Sequence, residues 1–159
     1  MESKTTTYRG YQRSSFIDYA NTGNIFFVTI CVSPRRPVFV SPDRNDVVVK
    51  TIKDLQNEHA WGVYLYCIMP DHLHLVVNPG ASGLSQAIRR LKGRLTPWWR
   101  QHGDGRPLWQ GGYFDHRLRS TESFTDKGRY IMQNPVRAGL VMHEKDWPWT
   151  GSLAVYTGS

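Results

Sequence analysis

Hydrophobic and polar positions change period along the chain, and each change marks an element. Ile25-Phe26-Phe27-Val28-Thr29-Ile30-Cys31-Val32 is apolar on both faces and rich in β-branched and aromatic residues, which predicts a central strand. After Ser41-Pro42, an N-cap followed by proline at the first helical position, Val48, Ile52 and Leu55 recur at helical spacing up to about Ala60. Trp61 to Met69 returns to a strand pattern. Pro70-Asp71 turns the chain, and His72-Leu73-His74-Leu75-Val76-Val77 should run back antiparallel until Asn78-Pro79-Gly80 breaks it. Leu84, Ala87, Ile88, Leu91 and Leu95 define a second helix. A loop over Gly103-Asp104-Gly105-Arg106-Pro107 leads to a fourth strand, Gly112 to Arg119.

The order strand, helix, strand, strand, helix, strand predicts an α+β, ferredoxin-like βαββαβ fold. Its antiparallel sheet should carry both helices on one face, with the first and third strands central. A further helix follows, capped by Ser120 or Thr121 and favoured by Glu122 in its first turn. It should stop near Gln133, because the residue before Pro135 avoids the helical region. Asn134 to Leu140 then reads as a short helical turn with a glycine stop, and Trp147-Pro148-Trp149 as a tail packed on the body. On the extra helix, Phe124, Gly128 and Ile131 form one stripe and Lys127, Tyr130 and Asn134 the next. The whole of 1–159 reads as one domain: a basic arm over 1–23, the core over 24–119, and the extra helix with its tail over 120–159.

Charge changes the picture. Twenty Lys and Arg against 13 Asp and Glu give a formal net charge of +7. Such an excess favours a polyanionic partner, nucleic acid before an acidic membrane surface. No apolar stretch approaches 18 residues and no signal pattern opens the chain, so a cytoplasmic protein without a membrane partner is expected. Cys31 and Cys67 are too few for a disulfide framework and read as small core residues. The basic residues gather in groups. Arg9 and Arg13 interleave with tyrosines in the arm; Arg35 and Arg36 follow the first strand; Arg89, Arg90, Lys92, Arg94 and Arg100 lie on the second helix. With Lys127 these are the candidate DNA contacts, and each also reads as solvated surface.

His72 and His74 stand two apart on a strand, so they share a face, roughly 6.5 Å apart along it. Leu73, Leu75 and Val77 take the opposite face. If those pack on the helices, the histidines point from the face that the two core helices leave uncovered. Two imidazoles on a stiff strand make half of a metal site; they are also what any half-solvated strand shows. Tyr130 is a candidate nucleophile towards a phosphate polarised by that metal. Asn134, one turn further on the same side, offers an amide oxygen as third ligand. Two imidazoles and one oxygen leave positions open for phosphate and water, which suits Mg²⁺ or Mn²⁺ better than a closed zinc site. Plainer readings stand beside these: Tyr130 as a core tyrosine, Asn134 as the N-cap of the Pro135 turn, His116 as structural or a DNA contact, and Asp71 as a turn residue.

Several stretches taken together are more specific. Tyr8-Arg9-Gly10, Ile25-Phe26-Phe27-Val28-Thr29, Met69-Pro70-Asp71-His72-Leu73-His74-Leu75, Leu108-Trp109-Gln110-Gly111-Gly112-Tyr113-Phe114, and Arg129-Tyr130-Ile131-Met132-Gln133-Asn134-Pro135-Val136-Arg137-Ala138-Gly139-Leu140-Val141 occur in one order. In that order the chain resembles the single-tyrosine HUH transposases, and most closely the REP-associated tyrosine transposases of bacteria. The resemblance implies that His72 and His74 are the histidine pair, Tyr130 the nucleophile, and Asn134 the third ligand, where related insertion-sequence enzymes carry glutamine. It implies Mg²⁺ or Mn²⁺ and no nucleotide cofactor. It implies cleavage of single-stranded DNA at REP-type hairpins with a flanking tetranucleotide, giving a 5′-phosphotyrosine and a free 3′-OH. It implies a bacterial protein on the nucleoid, and a monomer rather than a homodimer that swaps tyrosine helices. A tyrosine ester conserves the energy of the broken phosphodiester, so one site can cut and rejoin. Ionising an ordinary phenol at pH 7 costs roughly 4 kcal/mol, which the metal or Lys127 could partly offset. The competing reading is a non-catalytic single-strand-binding module of RNA-recognition-like fold, with Phe27 as a stacking platform.

Overall fold

The computed structural model describes residues 24–153. In order these form β1 (Ile25–Cys31), α1 (Pro42–Asn57), β2 (Trp61–Met69), β3 (His72–Pro79), α2 (Leu84–His102), β4 (Phe114–Leu118), α3 (Thr121–Arg137), a 3₁₀ turn (Glu144–Asp146) and β5 (Thr150–Gly151). The strands make one antiparallel sheet in the order β4-β1-β3-β2-β5. The α+β reading and the central placement of β1 and β3 hold. The arm, with Arg9 and Arg13, lies outside the described residues.

Local chemistry explains the elements. Ser41 caps α1 by accepting from the Arg44 N–H at 3.3 Å, and Pro42 begins the helix. Val48, Ile52 and Leu55 of α1 and Ala87, Ile88, Leu91 and Leu95 of α2 bury against Val28, Ile30, Leu73, Leu75 and Val77. Leu73, Leu75 and Val77 therefore face the two core helices, and His72 and His74 face the other way.

That other face is not left open. Phe124, Ile131 and Met132 of α3 pack there on Ile25, Leu65, Cys67, Val76 and Leu118. Phe124 and Ile131 are fully buried, and Phe124 meets Tyr64 edge-on with centroids 5.5 Å apart. The domain thus has three layers: α1 and α2, the sheet, and α3. Ser120 caps α3 by accepting from the Ser123 N–H at 3.0 Å.

Two expectations are corrected. First, α3 does not stop before Pro135 but runs through it to Arg137. Proline removes one N–H, and a position in the last turn keeps that loss small. The end is fixed further on: Leu140 N–H donates to the Pro135 carbonyl and Gly139 N–H to that of Val136, both at 2.9 Å, with Gly139 at φ 74°. Asn134 is consequently inside the helix and caps nothing. Second, a fifth strand exists. Thr150–Gly151 pairs with Cys67 and Tyr66 on the outer edge of β2, where a Cβ on residue 151 would collide with the Tyr66 hydroxyl. Two residues carry no period for a pattern to reveal.

Candidate active site

β3 leaves the Pro70-Asp71 turn and presents His72 and His74 on the α3 side. Their rings meet edge-on, centroids 4.6 Å apart, and the two Nε2 atoms approach to 3.1 Å. The other ring nitrogens are engaged. His72 Nδ1 lies 2.7 Å from Asp71 Oδ1. A carboxylate only accepts, so Nδ1 carries the proton and Nε2 the lone pair. His74 Nδ1 lies 3.0 Å from Thr29 Oγ1, because Thr29 stands opposite His74 in the β1–β3 register. Phe27 stacks on His74 with centroids 5.3 Å apart and rings 25° from parallel.

The electrostatics keep the pair neutral. Burial lowers the His72 pKa, with Arg35 adding to that and Asp71 opposing it. Burial first, then repulsion from His72 whenever that ring is protonated and from the Arg137 and Arg35 cations, pushes His74 down to about 3. Asp71 is raised by burial, but hydrogen bonds from Arg35 and His72 outweigh this and hold its carboxyl below the usual range. Arg35 Nε donates to Asp71 at 3.0 Å, and its Nη2 lies 3.3 Å from His72 Nδ1.

α3 supplies the remaining parts. The Asn134 amide nitrogen lies 3.4 Å from His72 Nε2; turning the amide by half a revolution places its oxygen there. Two nitrogen donors at a right angle, with bonds of about 2.1 Å, lie about 3 Å apart, which the 3.1 Å separation matches. Among the described residues, no group of three His, Cys, Asp and Glu side chains is placed to hold a metal ion. The available donor set is therefore two neutral imidazoles and one amide. Three such donors leave half the positions of a six-coordinate divalent ion for the oxygens of water or phosphate.

Tyr130 stands beside this point, 47% exposed. Its ring meets His74 edge-on at 6.1 Å and Phe27 at 6.2 Å. Both belong to its own chain. Two cations lie on the ring: Lys127 Nζ at 5.7 Å and Arg137 Cζ at 4.4 Å from its centroid. Lys127 Nζ also lies 5.1 Å from the Phe27 ring.

The structure thus gathers His72, His74, Asn134, Tyr130, Lys127 and Arg35. It separates the others. Arg36 is turned inward: its side chain is 9% exposed, is paired to Asp104 at 2.7 Å, and donates to the carbonyls of Ser33, Pro34 and Pro107. Its donors hold loops together instead of facing DNA. Arg94 forks onto Glu58, and Lys92 holds the carbonyls of Gln110 and Gly112. Arg89, Arg90 and Arg100 are exposed on α2, in the layer across the sheet from the histidines.

Sequence reasoning missed Arg137, Thr29 and the orienting work of Asp71, and gave Phe27 a role only in the competing reading, as a stacking platform. The signal for Arg137 was its place seven residues after Tyr130, which puts both on one helix stripe. Ending the helix at Gln133 hid it. The signal for Asp71 was its adjacency to the first histidine, since a ligating imidazole needs a partner for its second nitrogen.

The chain is similar to a REP-associated tyrosine transposase of Escherichia coli (strain K12), with 24% identity over 140 residues covering 86% of this chain and 81% of that protein. A Haemophilus influenzae protein provisionally given the same name is 26% identical over 140 residues, covering 80% and 79%. The fold also matches the solved structure of a REP-associated tyrosine transposase bound to a REP hairpin, with a TM-score of 0.69 at 22% identity, covering 80% of this chain and 76% of that one. No described helix is long and apolar enough to cross a membrane. Residues 23–134 match the family of IS200-like transposases, from two residues before β1 to the Asn134 beside the histidines, and the chain belongs to that family.

Proposed function

We propose that this transposase cuts and rejoins single-stranded DNA at REP-type hairpins, in a metal-dependent reaction that passes through a covalent bond to Tyr130. One observation carries this reading. His72 Nε2, His74 Nε2 and the Asn134 amide converge on a single point, and Tyr130 lies one turn before Asn134 on the same helix, against His74. Hairpin DNA as partner is supported by the names of the relatives and by the neighbouring structure's ligand.

His72, His74 and Asn134 would hold Mg²⁺ or Mn²⁺. Bound there, the ion would supply Lewis-acid polarisation of the scissile phosphate. The rest falls to the chain. Asp71 fixes the His72 tautomer and Thr29 and Phe27 fix the His74 ring. Lys127 and Arg137 neutralise charge on the tyrosine oxygen and on the phosphate oxygens as the transition state forms. The Tyr130 hydroxyl gives its proton to solvent as its oxygen attacks phosphorus, the bond from phosphorus to the 3′ oxygen breaks, and that oxygen takes a proton from solvent. The product is a 5′-phosphotyrosine and a free 3′-OH. Reversal, with a 3′-OH attacking the ester, rejoins strands.

The binding-module alternative places Phe27 free to stack on a base. In the structure that ring is taken up by His74, Lys127 and Tyr130. The test is to mix the protein with labelled hairpin DNA and Mn²⁺ and look for a protein–DNA adduct that survives denaturant. Absence of an adduct with wild type, or its persistence in Tyr130→Phe, rejects the proposal.

A further inference from the structure

α3 packs on Leu65, Cys67 and Val76 and reaches β4 at Leu118. The other residues that β4 turns to this face of the sheet stay uncovered, and the chemistry above does not use them. Phe114 stands opposite Thr29 and His116 opposite Phe27 in the β1–β4 register. Residues directly opposite in an antiparallel pair share a face. Thr29 bonds to the His74 ring and Phe27 stacks on it, so Phe114 and His116 belong to the histidine face. Both are exposed, Phe114 to 63%.

The backbone that carries Phe114 is fastened. Tyr113 turns the other way, its ring against the core and its hydroxyl 2.8 Å from Ser85 Oγ. In the preceding loop the Gln110 N–H donates to the Cys31 carbonyl at 2.9 Å, and Lys92 donates to the carbonyls of Gln110 and Gly112. Beside the Phe114 ring lies a cleft of about 280 Å³ whose lining includes Cys31, Gly111 and Gly112. A Cβ on either glycine would meet nothing within 4 Å, so this side of the ring is bare backbone and open space. Across the cleft, Cys31 Sγ lies 3.5 Å from Arg35 Nη1, and the same guanidinium borders His72. The cleft therefore leads from Phe114 to the edge of the candidate active site.

A single exposed aromatic is ordinary on a protein surface; this one is set apart by its place. Phe114, Thr29 and His74 form one row across β4, β1 and β3, about 10 Å from end to end. The Phe27 ring on the same face is occupied by its neighbours, whereas Phe114 offers its ring to solvent. An aromatic ring stacks on any base, because every base has a π-face. Arg35, half-exposed, and Lys127 over Phe27 place positive charge beside the row, as a phosphate backbone requires. We propose that this strip is a sequence-tolerant stacking platform, in which Phe114 receives the base of one nucleotide next to the scissile phosphate and so aligns that phosphate with Tyr130. This rests on the proposed single-strand cleavage and goes beyond it by naming a further substrate-positioning residue.

The test takes a hairpin on which wild type forms the Mn²⁺ adduct and maps the cut. An abasic nucleotide then replaces, in turn, each of the three nucleotides on either side of it. Affinity is read by fluorescence anisotropy with Tyr130→Phe and Mg²⁺, which should bind without cutting, and the adduct rate with wild type. At one position the missing base should weaken binding and slow the adduct about tenfold, while any of the four bases there should serve alike within about threefold. In Phe114→Ala, made in both backgrounds, the penalty at that position should fall below about twofold and the others should stay. Phe114→Trp should restore it. Abasic and intact DNA are compared within each variant, so a general loss of folded protein cancels. A penalty that survives whole in Phe114→Ala, or a marked preference for one base at that position, overturns the platform and leaves the cleavage reading standing. So does a wild-type dimer in sedimentation that Phe114→Ala dissolves, which would make the ring a contact between copies. No adduct on any hairpin defeats the cleavage reading and the platform together.

Discussion

The Arg137 guanidinium lies over the ring of Tyr130, its Cζ 4.4 Å from the centroid, and its Nη2 donates to the Tyr130 carbonyl at 2.6 Å. One side chain thus holds both the ring and the backbone of the candidate nucleophile.

Replacing Arg137 should therefore slow chemistry more than it weakens metal. Arg137→Ala is expected to lower the single-turnover rate of adduct formation by about 10- to 100-fold, the loss of one charged group near the developing anion. Mn²⁺ affinity should change less than about threefold, as Arg137 touches none of the three donors directly. Arg137→Lys keeps the charge but not the planar stack and should recover only part of the rate. Equal rates for wild type and Arg137→Ala would remove Arg137 from the site.

Tyr130 lies against His74 of its own chain, an arrangement in which one molecule carries the nucleophile and the histidine pair together. Mixing Tyr130→Phe with His74→Ala should then give no adduct at any ratio, because neither variant can complete the other. Recovered activity in the mixture, rising with protein concentration, would show that tyrosine helices are exchanged between copies.

Asp71 is the partner that leaves the His72 Nε2 lone pair free. Asp71→Asn should weaken Mn²⁺ binding by about 10- to 100-fold, the usual effect of losing an orienting carboxylate behind a ligating imidazole. Electron paramagnetic resonance of free Mn²⁺ reads this without DNA or turnover. Raising Mn²⁺ should restore adduct formation in Asp71→Asn but not in Tyr130→Phe. Unaltered affinity in Asp71→Asn would leave Asp71 as a turn residue only.

How much of this was legible in the sequence follows from what each feature depends on. The strand and helix periods gave β2 with its observed ends, the helix-facing side of β3, and the Phe124–Ile131 stripe, because each depends on residues near in sequence. The pairing of His72 and His74 was legible for the same reason. Arg137 was lost to a local rule, that residues before proline leave the helix, which the tertiary packing of α3 overrides here. Thr29 was not legible, since its role exists only through the β1–β3 register. Arg36 and Arg94 looked like partners of Arg35 and Lys127 in composition, and only the fold shows that Asp104 and Glu58 already occupy them.

α3 carries Tyr130 and Asn134 and is fastened mainly by its buried stripe. Phe124 is fully buried and meets Tyr64 edge-on, so Phe124→Ala should cost about 3–5 kcal/mol of stability. By contrast, the Arg94–Glu58 pair is exposed and screened by solvent, so Glu58→Gln should shift a urea midpoint only slightly. A midpoint shift in Glu58→Gln as large as that in Phe124→Ala would contradict this ranking.

Alkaline stability should report the core beneath the tyrosine helix. Burial pushes the Cys67 thiol from 9.0 up to about 12, against a small opposing effect of the Thr150 hydroxyl, which lies 3.4 Å from the sulfur. The sign follows from which state releases the proton first. Below about pH 9 the thiol is neutral in both folded and unfolded chains and the term is constant. Above it the unfolded thiol ionises while the folded one does not, so this contribution to stability is lost as pH rises towards 12. Each pH unit in that window should cost up to about 1.4 kcal/mol. Burial also raises the pKa values of Tyr64 and Tyr66, and they will steepen the loss. Urea melts of wild type and Cys67→Ala isolate the cysteine: their difference in stability should be constant from pH 7 to 8.5 and shift steadily in favour of the variant from pH 9.5 upward. The same burial should leave Cys67 unalkylated by iodoacetamide at pH 8 until the protein unfolds. Rapid native alkylation of Cys67, or a stability difference that ignores pH, would show that this sulfur is not sealed under α3 and β5.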